Sequence, residues 1–157
     1  MATPSPKNVL RTEFDTMTEL LDLLKQEQQY LVNANTEALE QATPAKTALV
    51  TRMAAASAQR QQAQADAGFA ASDSSMDAWL EAAGDAEATA LWQSLLDITR
   101  EAKELNRVNG MLIARHLANN QTLLNAMRQP AAGADAGVYG PSGQTQAGGP
   151  SRRFVVG

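Results

Sequence analysis

The sequence predicts an all-α fold: an elongated antiparallel three-helix bundle or coiled coil, with a short extra helix and a flexible C-terminal tail. Three observations predict it. Apolar residues recur at alternating spacings of four and three along two long stretches, which is the mark of one buried helix face. Hydrophobic residues make up 44% of the chain and aromatics only 4%, so long helices packed side by side suit it better than a compact α/β core. Seven of the ten glycines and three of the six prolines fall in residues 129–157, a stretch too poor in apolar surface to offset its ordering entropy. The expected division is a helical bundle over 1–128 and a Gly/Pro-rich tail over 129–157.

The first helix is expected over about 6–33. Leu10, Phe14, Met17, Leu21, Leu24, Gln28 and Leu31 form its seam, widened by Leu20 and Leu23. Glu13, Asp15, Glu19, Asp22, Lys25 and Glu27 fall mostly off that seam. Ser5 suits the N-cap and Pro6 the first turn, where no N–H partner is lost. Asn33-Ala34-Asn35-Thr36 reads as a turn.

The second helix is expected over about 36–67. Pro44 should kink it or restart it with Thr43 as N-cap, because proline removes a hydrogen bond and clashes with the preceding turn. Leu49, Met53 and Ala56 carry a seam that turns Ala- and Gln-rich. That end should bury little and be the least stable part of the bundle. Gly68 suits a left-handed helix end.

Ser74-x-x-Asp77 resembles a capping box opening a short helix over 75–83, with Trp79 and Leu80. Gly84 and Asp85 then separate it from a long helix over about 85–128. Its seam is Leu91, Leu95, Ile98, Ala102, Leu105, Asn109, Leu112, His116, Asn119, Leu123 and Ala126. Arg100–Glu104 and Glu104–Arg107 are spaced as surface pairs.

Composition narrows the function. The net charge is −4, with 13 basic and 17 acidic residues, and no basic stripe exists to neutralise phosphates, so no nucleic acid is expected as partner. The start of the chain lacks the apolar run of a signal peptide. No stretch approaches the roughly 20 apolar residues of a membrane span. The expectation is a cytoplasmic protein. With no Cys and one His, a Cys–His nucleophile and a multi-His metal site are absent, and no phosphate-cradling loop occurs. No catalytic residue, cofactor or metal is expected, and the chain reads as a binding protein rather than an enzyme.

Two features of the long helix stand out. Its apolar arc, from Val108 and Leu112 through Ile113, Leu124 and Leu117, spans roughly 180° on a wheel of 100° per residue. Such an arc either packs against both other helices or offers a second surface to a partner's amphipathic helix. Asn106, Asn109, Asn119 and Asn120 are mediocre helix formers there. Asn109 on the seam would fix register, or present hydrogen-bonding groups to a partner. Gly110 fits a close helix approach. His116 lies on the seam, which argues against a phosphotransfer histidine.

The same residues carry a resemblance. Leu105-Asn106-Arg107-Val108-Asn109-Gly110-Met111-Leu112-Ile113, followed by Asn120-Gln121, resembles a stretch of the FlgN-type flagellar export chaperones. Tyr139-Gly140-Pro141-Ser142-Gly143-Gln144-Thr145 is similar to the Tyr-Gly-x-x-Gly-Gln-Thr segment in their tails, and Arg152-Arg153-Phe154-Val155-Val156 to their ends. Pro44 departs from the pattern, since such chaperones usually continue a helix there. The resemblance implies a type III export chaperone that binds the C-terminal segments of hook–filament junction (hook-associated) proteins and prevents their premature assembly. It implies delivery to the cytoplasmic domain of the flagellar export gate. By match, Asn106, Asn109, Gly110, Leu112, Ile113, Leu117, Asn120 and Leu124 would face the client. Tyr139 and Gly140 would dock on the gate. A self-associating structural coiled coil and a histidine phosphotransfer module are the alternatives.

Overall fold

A computed structural model of the chain describes residues 4–128. Among them the chain forms α1 (Pro6–Val32), α2 (Thr36–Asp66), a 3-10 turn (Asp73–Ser75), α3 (Met76–Ala83) and α4 (Ala86–Arg128), with no strand. The all-α class expected from the spacing is observed. The chain divides into two compact units, Met1–Ile113 and Ala114–Gly157. Of the second, only the end of α4, residues 114–128, is described.

Ion pairs reveal the directions of the helices in the first unit. Glu13 pairs with Arg60 at 2.6 Å, Glu19 with Arg52 at 2.8 Å and Glu27 with Lys46 at 3.2 Å, so α1 and α2 run antiparallel. Lys7 pairs with Glu87 at 3.0 Å and Lys25 with Glu101 at 3.5 Å, so α1 and α4 run parallel. The order is up, down, up, with α3 in the return connection.

The core is built on α1. Leu10, Met17, Leu21 and Leu24 form one buried cluster with Leu91, Trp92 and Leu95 of α4 and with Met76, Trp79 and Leu80 of α3. Met76, Trp79 and Leu80 are spaced three and four apart, which puts all three on one face of α3. Each such side chain contributes roughly 1.5–3 kcal/mol when fully buried.

The helix ends follow from local chemistry. The Ser5 hydroxyl accepts from the Asn8 amide at 3.4 Å and Pro6 opens α1. α1 closes with the Asn35 amide donating to the Tyr30 carbonyl at 2.8 Å and the Ala34 amide to Leu31 at 3.2 Å. This paired closure requires a left-handed residue at Ala34, which sits at φ 54° without being glycine. α2 closes in the same way, with Phe69 donating to Gln64 and Gly68 to Ala65, both at 2.9 Å. There the left-handed position is Gly68, at φ 89°.

Five expectations are corrected. First, α2 runs unbroken through Pro44, so of the kink or restart expected there the restart is not observed. Thr43 does not cap a new helix; its hydroxyl donates back to the Leu39 carbonyl at 2.9 Å. The lost hydrogen bond falls on the exposed side of α2, where the Glu40 carbonyl can be hydrated. Second, the Ala/Gln-rich end of α2 is its best-buried part. Ala56, Arg60, Ala63 and Gln64 are enclosed, while no residue of 36–55 is buried. Small alanines let α2 approach closely, and Arg60 and Gln64 are satisfied by partners.

Third, Glu13 and Glu27 are buried rather than off the seam. Both stand seven residues from buried Leu20, at the same heptad position, so they fall inside the same apolar arc. Fourth, Ser74 does not cap α3. Its hydroxyl pairs with that of Ser72, and Ser75 stands at the N-cap with its hydroxyl turned back to the Ala70 and Ser72 carbonyls. Fifth, Arg100 pairs with Asp97 at 2.7 Å rather than with Glu104.

Candidate functional site

α4 starts where the Asp85 carboxylate accepts from the amides of Glu87, at 2.9 Å, and Ala88, at 3.2 Å. It then runs 43 residues with no internal proline. Ala88, Leu91, Trp92, Leu95, Ala102 and Asn109 are buried along one side of it. At 100° per residue, Ile113, Leu117, Asn120, Leu124 and Met127 continue along that same side of α4. These are not buried. Ile113 is 39% exposed, Leu117 61%, Leu124 51% and Met127 65%, and Leu123 beside them is 59% exposed. His116 is half-buried, and every residue from Leu117 to Arg128 is exposed.

The expected client-facing residues divide by position. Ile113, Leu117, Asn120 and Leu124 share the uncovered side of α4. Asn106 and Gly110 are exposed earlier on the helix, and Leu112 is half-buried. A Cβ added at Gly110 would meet nothing within 4 Å, so this glycine does not mark a close helix approach. Tyr139 and Gly140 lie outside the described residues.

Asn109 stands apart, since it is fully buried. Its side-chain amide donates to the Leu24 carbonyl at 2.9 Å and to Glu27 Oε1 at 2.8 Å. Lys46 Nζ reaches both oxygens of Glu27 at 3.2 Å. One residue from each of α1, α2 and α4 therefore meets in a single polar tie. Asn109 Oδ1 has no partner among the described residues, so this tie favours register over stability.

A second tie lies two heptads earlier on α1. Arg60 Nε donates to Glu13 Oε2 at 2.6 Å, and Arg60 Nη1 donates to Asp73 Oδ1 at 3.1 Å. Ser57 Oγ donates to Glu13 Oε1 at 2.9 Å, and the guanidinium carbon lies 4.9 Å from the centre of the Trp92 ring. Burial disfavours the charged guanidinium, but Glu13 and then Asp73 outweigh it and raise its pKa above the ordinary arginine value. Sequence reading missed both ties. Their signal was the glutamates at 13 and 27, which flank Leu20 at heptad spacing.

On the outer side of α4, the Arg107 guanidinium grips Glu104 at 2.6 and 2.9 Å. This hydrogen bond lowers the Glu104 pKa below the usual carboxylate value. Both groups are exposed, so the pair is screened and adds little to stability.

The surface of α4 offers apolar contact and amide groups rather than reactive ones. It suits binding of an amphipathic segment, and among the described residues no helix is long and apolar enough to cross a membrane. The model of the FlgN protein family matches residues 1–147. A flagella synthesis protein FlgN from Proteus mirabilis is 36% identical over 56 residues, which cover 36% of each chain. The aligned part is thus about a third of that relative's length. No solved structure matches. With the family model covering the whole helical fold and most of the chain, the chain belongs to the FlgN protein family.

Proposed function

We propose that this chain is a cytoplasmic export chaperone that binds the C-terminal segments of hook–filament junction proteins on the uncovered side of α4. The observation that carries the reading is the change along one helix face. The side of α4 that carries the buried residues up to Asn109 continues through Ile113, Leu117, Leu124 and Met127 with no covering element among the described residues. An apolar stripe of this kind is the receiving half of helix-on-helix recognition. Covering it with the apolar side of a client segment hides the surface that would otherwise drive premature assembly.

The chemistry suits a chaperone that must also let go. A segment disordered before binding loses ordering entropy on the surface, which keeps affinity modest for the area buried. Asn120 on the same face can pair with client backbone groups without fixing one client sequence. Asn109 serves the surface indirectly, holding α4 in register on α1. The tail supplies the second contact: Tyr139 with Gly140 docks on the cytoplasmic domain of the export gate, an aromatic giving contact area at low entropy cost. No step of this function is catalytic, and none draws on a cofactor.

Calorimetric titration with the C-terminal segments of the same organism's junction proteins tests the reading. Saturable binding at a defined ratio is expected for at least one segment. No heat and no co-elution with any of them would contradict it. Concentration-dependent size of the free chain would then favour a self-associating coiled coil.

A further inference from the structure

A groove of about 210 Å³ opens between α2 and α4, with α1 beneath it. Met17, Leu20 and Leu24 form its apolar floor, and all three are buried from bulk solvent. Val50 stands on the α2 wall, half exposed, beside the half-buried Leu49 and Met53. Lys46 and Lys103 occupy opposite rims. No carboxylate lines the groove, although the whole chain is acidic with a net charge of −4. Lys46 is committed to Glu27, but Lys103 makes no ion pair among the described residues.

The volume falls below the roughly 300–1,000 Å³ of pockets that enclose small molecules. It suits one or two anchor side chains carried on a larger partner. We propose that this groove docks an acidic amphipathic helix of a partner protein. One or two Leu- or Met-sized side chains seat over Met17, Leu20 and Leu24, and flanking carboxylates face Lys103. Charge selects this occupant over the chain's own tail, because residues 129–157 carry one acid, Asp135, against Arg152 and Arg153. The inference rests on the groove alone and does not depend on a client at the far end of α4.

Methyl-resolved NMR of the full chain tests it. The probe is a synthetic helical peptide with Leu at i, i+3, i+4 and i+7 and Glu elsewhere, compared with the same peptide carrying Lys for Glu. The Glu peptide should shift the methyl signals of Val50, Leu20 and Met17 saturably, and the Lys peptide should leave them in place. Lys103→Glu, an exposed substitution, should weaken the Glu peptide by about tenfold or more through like-charge repulsion. Equal binding of both peptides would overturn the proposal, as would shifts confined to Leu117, Leu123 and Leu124. Groove shifts that follow protein concentration without peptide would assign the groove to a second copy and overturn it. Groove shifts on deletion of 129–157 would assign it to the tail and do the same.

Discussion

The two lengths of α4 present the same kind of face in different circumstances. Between Ala88 and Asn109 that face buries Ala88, Leu91, Trp92, Leu95, Ala102 and Asn109, with Asn106 left exposed, and from Ile113 to Met127 it buries none. Leu91 and Leu95 in the first length and Leu117 and Leu124 in the second are the same residue type on the same side of the helix. The difference lies in what covers them. Hydrophobic stabilisation belongs to area removed from water, so identical residues build a core in one place and stay open to solvent in the other. A stripe that continues past its covering helices is therefore a better sign of a docking surface than an isolated exposed leucine.

If that contrast is right, substitutions should separate cleanly into those felt by the fold and those felt only by binding. The largest effect is expected at Arg60. Arg60→Ala strands the buried Glu13 carboxylate with Ser57 as its remaining partner, and should cost about 3–5 kcal/mol in denaturant unfolding. A loss under 1 kcal/mol would mean that water reaches Glu13.

Asn109→Ala comes next. It removes two buried hydrogen bonds and leaves Glu27 to Lys46, for an expected loss of about 1–3 kcal/mol. Calorimetry should also show weaker client binding by this variant, through loosened register rather than a lost contact. A variant with unchanged stability would place Asn109 at the surface after all.

Ala34→Gly works in the other direction. It relieves a left-handed alanine at φ 54° and should stabilise the chain by roughly 0.5–1 kcal/mol, seen as a raised melting temperature. Destabilisation would show that the turn is stiffened usefully by Ala34. The smallest effect on stability is expected at Leu123→Ser, within about 0.5 kcal/mol, because its side chain is already mostly in water. A larger loss would show that Leu123 is covered in solution.

The fold was legible where local rules act alone. The 3.6-residue spacing of Leu10, Met17, Leu21 and Leu24, the Ser5-Pro6 start and the Asn33–Thr36 turn each depend on near neighbours in the chain. What escaped sequence reading depends on partners far apart in it. Arg60 looks like a solvated charge until Glu13, 47 residues away, is placed beside it. Pro44 looks like a break until its lost hydrogen bond is seen to face water. The candidate site was legible in the same measure. The Asn-rich stretch and its apolar arc located the surface on α4, but only the packing of α1 separates buried Asn109 from exposed Asn106 and Ile113. Tyr139 rests on its motif alone.

The central claim is that the end of α4 is a docking surface and not core. The most direct measurement is calorimetric titration of the Ile113→Asp, Leu117→Asp double variant with the junction-protein segment that binds the unaltered chain, alongside its circular-dichroism melt. A helical, cooperatively melting protein that no longer binds is expected. A variant that stays folded and binds as before, or one that unfolds, would contradict the claim.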